Sequence, residues 1–317
     1  MALLFLLLDQ LSNPGRRFIV AHVNYGLRGK ESEKDERSVR VICRRLGLSF
    51  ERLKVVDFVK KVKQTGLSPQ DLARKIRYHF FKKVVKRHRA WGVAVAHHQE
   101  DQAETVLDRL LRGAGSRGLS GLKPVQKLNL TEFQGFLYVW RPLLRFTKGE
   151  LREYLKSSGI SWREDQSNRT DRYRRNQIRH RIIPFLKQWN PNLVETLARV
   201  GEVAASEDHF FDGFLESLGP KLKSHWEKKG YCCGIKEFKK APQALQRRWV
   251  RHVAETLAPQ ARGLSFERIE EIIRLWECLE KGPRDLGFGL VAGQTTAGKA
   301  FLRLKCDPRT QGRPRKG

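Results

Sequence analysis

The chain has 317 residues, with 63 Lys or Arg against 34 Asp or Glu, a formal net charge of +29. That length suits two domains better than one, and 40% hydrophobic residues suffice for a buried core. Positive charge in such excess repels itself, which argues against an enzyme serving only small neutral substrates and for a polyanionic partner, RNA or DNA before an anionic membrane. A generally basic proteome is the plain alternative. The first stretch, MALLFLLLDQ, is apolar, but no Lys or Arg precedes it, no small-residue cleavage site follows, and Asp9 interrupts it early. A membrane span needs about 20 apolar residues, and no stretch approaches that. The expectation is a cytoplasmic protein with no membrane partner, and a buried helix over Ala2–Leu11 ended by Asn13-Pro14-Gly15.

Alternating strands and helices follow. Phe18–Val23 is a nearly continuous apolar run, the mark of a strand covered on both faces. Val39, Ile42, Cys43 and Leu46 fall at i, i+3, i+4 and i+7 and predict an amphipathic helix. Phe50–Val56 reads as a second strand. Ser68-Pro69 supplies an N-cap with Pro at the first helical position, opening a helix through Ala73, Ile76, Phe80, Phe81 and Val84. Trp91–Ala96 reads as a third strand running into His97-His98, with a helix from Asp101 to about Leu111 behind it. This alternation predicts an α/β fold, a parallel sheet with helices on both faces. Function in such sheets gathers beyond the carboxyl ends of the strands. Two of those ends emit histidine, at Ala21-His22-Val23-Asn24 and Ala96-His97-His98. A lone histidine there is more often structural; two at corresponding ends point to a site.

Residues 113–121, GAGSRGLSG, are glycine-rich but match neither GxxxxGK[ST] nor a dinucleotide fingerprint, since they follow a helix. Thr147 with Glu150 forms a capping box for a helix through Leu151, Tyr154 and Leu155. Between Asp171 and Arg181 lie five arginines, 172, 174, 175, 179 and 181. A solvated helix face usually mixes Glu with Arg to gain i,i+4 pairs, so uncompensated arginine favours phosphate or carboxylate contact. From Asn192 the pattern is helical, it breaks around Pro220–Gly234, and further helices are predicted at Ala244–Val250 and Phe266–Leu279. Leu286–Leu304 suits a hairpin, and the basic end suits a disordered tail. Trp226, Trp249 and Trp276 suit an RNA surface or a core equally. The expected domains are 1–195, a smaller mostly helical 196–306, and a tail from 307. Five cysteines without a CxxC pair or zinc spacing indicate reduced, mostly buried thiols.

HVNYGLRG (22–29), RKIRYHFF (74–81), AHHQEDQAETVLDRLLRG (96–113), RPLL (141–144) and WREDQSNRTDRYRRNQIRHRIIP (162–184), taken in order, resemble the tRNA(Ile)-lysidine synthetases of the PP-loop, or N-type ATP pyrophosphatase, superfamily. The resemblance covers roughly residues 1–200 and continues more weakly beyond. It implies a ligase that uses ATP and Mg2+ to adenylate the C2 oxygen of the wobble cytidine in tRNA(Ile) with a CAU anticodon, after which free L-lysine displaces AMP. An amide-like oxygen leaves poorly until it becomes a phosphate ester, so positioning ATP, cytosine and lysine together is the main requirement. A second copy of the chain is a further candidate partner.

Carried over by position, Ala21, His22, Ala96 and His97 would edge the adenine pocket, with Arg112 on phosphate. Arg77 would reach the nucleotide or the cytidine. Asp101 and Glu104, three apart on one helix face beside His98, would hold the lysine amine or a magnesium ion, and Glu104 could take the amine's proton. A helix-start charge pair is the structural alternative. Arg174, Arg175 and Arg179 would meet tRNA or ATP phosphates. Tyr25, Glu100 and Gln166 depart from the residues usual in the family. The superfamily's SGGxDS phosphate loop, with its magnesium-binding Asp, would precede Met1. The expectation is that the reading frame continues upstream into such a segment; the alternative is a noncatalytic tRNA-binding remnant. A tRNA thiolase is disfavoured by the missing cysteine pairs, and an amidotransferase by the charge.

Overall fold

A computed structural model describes residues 1–10, 18–129, 135–162, 174–222, 224–227, 230–258, 264–277, 283–295 and 299–304. The chain divides into two compact units, residues 1–205 and 206–317. In the first, helix α1 (Ala2–Asp9) buries only Ala2 fully. Met1, Leu3 and Leu6 lean on Leu143, Leu151 and Leu155, so the all-apolar stretch packs along one side and is half-buried, not the buried helix its composition predicts. Strand β1 (Ile19–Asn24), helix α2 (Lys30–Arg45) and strand β2 (Ser49–Lys54) follow, and β1 pairs with β2 in parallel, Ile19 opposite Ser49 through Asn24 opposite Lys54. Helix α3 (Phe58–Thr65) leads to α4 (Pro69–His88), where the Ser68 hydroxyl accepts from the Asp71 amide and Pro69 opens the first turn as predicted.

Strand β3 keeps only Val93–Ala94 of the six residues expected, because only these two pair with the strand beside them in the sheet, opposite Val139 and Trp140. Helix α5 (Gln99–Leu110) is followed by a short α6 (Ser116–Leu119) inside the glycine-rich stretch. Strands β4 (Val125–Asn129) and β5 (Phe136–Trp140) form an antiparallel pair, giving a second sheet in the order β3-β5-β4 with β3 and β5 parallel. The parallel pairs and the helices about them are the α/β architecture expected. Ile19, Ala21 and Val23 of β1 meet Val93 and Val95 in a core built on Tyr78, Phe80, Phe81 and Val84 of α4. On the other side of β1, Asn24 is tied to Glu36 of α2. Alternate residues along one strand therefore meet helices on opposite faces.

Helix α7 (Lys148–Ser157) has the predicted capping box between Thr147 and Glu150. Helix α8 (Arg174–Gln177) passes through a π turn, Ile178–Ile182, into α9 (Ile183–Lys187) and then α10 (Leu193–Lys221). Ala103, Val106 and Leu107 of α5 share a core with Ile178, Ile183, Val194 and Leu197.

The second unit holds β6 (His225–Glu227), β7 (Gly230–Gly234), α11 (Ile235–Lys240), α12 (Gln243–Leu257), α13 (Phe266–Glu277), β8 (Arg284–Gly287), β9 (Leu290–Gln294) and β10 (Lys299–Leu304). Helical residues outnumber strand residues here. The strands form one antiparallel sheet, β6-β7-β10-β9-β8, so the expected hairpin near the end is part of a five-stranded layer. Trp249 and Trp276 are buried in its core with Tyr231 and Phe238, and the Trp249 indole donates to the Tyr231 hydroxyl at 2.6 Å. Only Trp226 of the three tryptophans singled out is exposed.

Candidate active site at the strand ends

The carboxyl end of β3 delivers His97 and His98 to the start of α5. The His98 amide donates to Asp101 Oδ2 at 3.0 Å, so Asp101 caps its own helix. The His98 ring lies between two carboxylates, with Nδ1 2.8 Å from Glu100 and Nε2 3.5 Å from Asp101. Glu100 also accepts from the Lys148 amide at 2.9 Å. Burial pushes its carboxyl up, but the His98 and Lys148 hydrogen bonds outweigh that, and the net shift is downward.

His97 is held differently. Arg141, 1% exposed, donates from Nη1 to the Lys123 carbonyl at 2.7 Å, from Nη2 to Gln126 at 3.0 Å, and from Nε to His97 Nδ1 at 3.2 Å. A guanidinium can only donate, so Nδ1 is the bare nitrogen and the His97 proton sits on Nε2. Burial, chiefly, lowers the His97 pKa to about 4; the Asp101 charge opposes this, while Arg141, Arg175 and Arg74 add to it. His97 is thus a neutral imidazole with a fixed donor.

One face of α5 presents Asp101, Glu104 and Asp108, spaced i, i+3 and i+7. Arginines of α8 and the π turn answer them. Arg175 reaches Asp101 at 2.6 Å and Glu104 at 2.8 Å. Arg179 reaches Glu104 at 2.5 Å and Asp101 at 3.3 Å. Arg174 lies 2.7 Å from Asp108, which Arg112 also meets at 2.8 Å. Burial would lower the Arg179 pKa, yet the Glu104 hydrogen bond and the charges of Glu104, Asp101 and Glu100 raise it overall. Arg175 and Arg179 thus form one charge lattice with carboxylates more than seventy positions away in sequence, with the Glu104 side chain 1% exposed at its centre.

Of the predicted site residues, Asp101, Glu104, His98, Arg175 and Arg179 come together, with His97 beside them. Arg112 and Arg174 meet one turn further along α5, on Asp108, which the sequence reading did not single out although its spacing continues the acidic face. Ala21 and His22 lie on β1. Burial lowers the His22 pKa against the pull of Glu36 and Asp35, and its ring stacks near Phe50 at 6.3 Å. Arg77 is exposed on α4 and bonds the hydroxyl of Tyr25, which in turn donates to the Ala73 carbonyl at 2.7 Å. Ala96 is exposed immediately before His97. Arg172 and Gln166 lie outside the described residues. Sequence reasoning also missed Arg141, visible only as the first letter of RPLL, and Arg109, whose guanidinium donates to the Gly118 and Gly121 carbonyls at 2.6 and 2.9 Å and so shapes the glycine-rich turn. An open surface cavity of about 310 Å³ between α2 and β2, lined by Arg40, Cys43, Arg44, Leu48, Phe50 and Arg52, contains none of these residues. The lattice and the strand ends, not that cavity, hold the convergent chemistry.

A family model for the PP-loop domain matches residues 1–186. Among curated proteins the chain is similar to a tRNA(Ile)-lysidine synthase of Geobacter sulfurreducens, 36% identical over 81% of this chain and 53% of that protein. It is likewise similar to those of Bacillus subtilis, 33% over 79% and 52%, and Geobacillus kaustophilus, 36% over 78% and 52%. The chain spans about half the length of these relatives. Among solved structures it is similar in fold to the U34-tRNA thiolase NcsA from Methanococcus maripaludis, with a TM-score of 0.51 at 16% identity, covering 65% of this chain and 68% of that one. Among the described residues, no helix is long and apolar enough to cross a membrane. With the matched segment containing both strand ends and the whole acid–arginine lattice, the chain belongs to the PP-loop domain family.

Proposed function

We propose that this chain acts as a tRNA(Ile)-lysidine synthase in the cytoplasm, ligating lysine to the wobble cytidine of a CAU-anticodon isoleucine tRNA at the expense of ATP. The single observation that carries the reading is the lattice in which Asp101 and Glu104 of α5 meet Arg175 and Arg179 directly beside the β3 end. It joins the two most distinctive motifs of the resemblance in one place, and the relatives named for this reaction support it.

In this reading the C2 oxygen of cytosine attacks the α-phosphorus of ATP and pyrophosphate leaves. The amine of lysine then attacks C2, the C2–oxygen bond breaks, and AMP departs. His97, neutral with its proton on Nε2, offers a hydrogen-bond donor at the strand end without adding charge, which suits the edge of an adenine ring. Arg175 and Arg179 stand as a preorganised pair of cations for the phosphates and for charge developing on the leaving AMP. The lysine ammonium is a chemical equivalent of what Asp101 and Glu104 already hold. As an arginine turns toward phosphate, the ammonium takes its place on the carboxylates, which position it and accept the proton it loses. Magnesium would accompany ATP. Among the described residues no group of three or more His, Cys, Asp or Glu could hold a metal ion, and Asp101 and Glu104 are already neutralised by arginine, so these donors do not fit the ion and no step is assigned to it. The unit from 206 onward would contact the tRNA body.

The test separates the first half-reaction. Incubated with ATP and a CAU-anticodon tRNA but no lysine, the protein should release pyrophosphate and leave AMP attached to the RNA. A tRNA whose wobble cytidine is replaced should support neither. Salt-sensitive tRNA binding with no pyrophosphate release would favour a binding protein over a ligase.

A further inference from the structure

The segment that supplies Arg175 and Arg179 has a second face. From Arg174 to Trp189 the sequence contains four arginines, one lysine and one histidine, and no Asp or Glu. Its inner side is accounted for: Asn176, Ile178 and Ile183 are buried, Ile182 and Leu186 pack on the α5 core, and Arg175 and Arg179 hold the carboxylates. Its outer side carries Arg181, Pro184, Phe185, Lys187, Gln188 and Trp189, all exposed. Phe185 of α9 is 57% exposed and Trp189, in the turn just after that helix, 81%. Tryptophan is highly buried on average in folded proteins. Neither ring stacks on another aromatic among the described residues.

Resting on the lysidine-synthase reading, we propose that Phe185 and Trp189 form a stacking platform for unpaired bases of the RNA substrate, flanked by the cations of the same strip. Charge complementarity selects the occupant. Two exposed apolar rings beside Arg181 and Lys187, in a stretch of sequence without Asp or Glu, match a ligand with an anionic backbone and exposed π faces, and single-stranded RNA is that ligand. A second copy of this chain, itself at +29, would bring like charge to the strip. The placement also suits the chemistry. The loop bases would stack on the outer side of the stretch whose inner side holds Asp101 and Glu104, so that docking the loop and aligning the reacting base use one continuous run of backbone.

The experiment uses the full chain with a short single-stranded RNA carrying 5-iodouridine, the same RNA as a duplex, and the variants Trp189→Ala and Phe185→Ala/Trp189→Ala, with circular dichroism to confirm folding. Both side chains lie outside the core, so the variants should melt as the parent does. The expected results are photoadducts on the peptide containing Phe185 and Trp189, and about a tenfold or greater loss of single-strand affinity in the double variant. Duplex affinity and the salt slope should change little, because phosphate contacts remain. Equal losses for single strand and duplex, adducts only elsewhere, or a principal effect on self-association would overturn the platform. The two readings fail separately. If the double variant modifies tRNA as well as the parent does, the platform is wrong and the ligase stands. If the parent binds single strands on this strip but never turns over ATP with tRNA, the platform stands and the ligase is wrong.

Discussion

Replacing Glu104 by Gln asks how much the acid–arginine lattice contributes. The carboxylate accepts from Arg175 Nε at 2.8 Å and from Arg179 Nε and Nη2 at 2.5 and 3.0 Å. The amide keeps the side chain's shape and one acceptor, but turns an NH2 donor toward guanidinium donors. A hydrogen bond to a charged group contributes about 1.5–3 kcal/mol, which would suggest a large loss. Two facts reduce it: Arg175 and Arg179 are 42% and 30% exposed, so water screens the pairs, and Asp101 still holds both arginines. We expect a cost of about 2 kcal/mol, or about 4–8 °C in the melting temperature of a unit this size. Thermal unfolding followed by circular dichroism measures it, with Asp108→Asn as the comparison. Asp108 is itself more exposed and its partners are 51% and 61% exposed, so that change should cost under about 1 kcal/mol. Equal melting temperatures for Glu104→Gln and the parent would refute the lattice as an energetic unit, as would an Asp108→Asn loss of the same size.

Three further predictions rest on other features. Folded His97 stays neutral down to about 4, against an ordinary 6.5. The unfolded chain therefore binds the extra proton between those values, and stability should be full above about pH 6.5 and fall as the pH drops toward 4. The slope from this residue is at most about 1.4 kcal/mol per pH unit; urea titrations across that window should show part of it disappear in His97→Gln. Gly201 of α10 faces Gln102 so closely that an added Cβ would lie 2.6 Å from its Nε2 and 3.1 Å from Val106. Since Gln102 is pinned by the Leu122 amide at 2.6 Å, Gly201→Ala should destabilise by about 1–3 kcal/mol, whereas an unchanged denaturation midpoint would show that the α5–α10 contact yields. Burial, then the neighbouring Cys232 and Glu237, push the Cys233 thiol up to about 12. It should resist alkylation near neutral pH until the protein unfolds, and rapid labelling of the native state would contradict its burial.

How far the sequence could be read depended on whether a signal was local. The Ser68-Pro69 helix start and the Thr147–Glu150 box are local hydrogen-bonding grammar and appear as written. The β1 run was visible because nearly consecutive apolar residues leave little else to form. The β4–β5 pair was not, because FLYVW is apolar throughout while its burial alternates: Leu137 and Val139 are buried, Phe136 and Trp140 exposed. The length of β3 could not be read at all, since a partner far along the chain decides it. The site divides the same way. Asp101, Glu104 and the two histidines were legible from spacing at a strand end. That Arg175 and Arg179 would rest on those carboxylates is a long-range fact of folding, and so is Arg141 setting the tautomer of His97.

We propose that this PP-loop chain places lysine on the wobble cytidine of a CAU-anticodon tRNA. The most direct test incubates the protein with ATP, lysine and a CAU-anticodon isoleucine tRNA, digests the RNA to nucleosides, and reads the wobble position by mass spectrometry. Lysidine is expected there, dependent on ATP and lysine. An unmodified cytidine in tRNA that the protein demonstrably binds would contradict it.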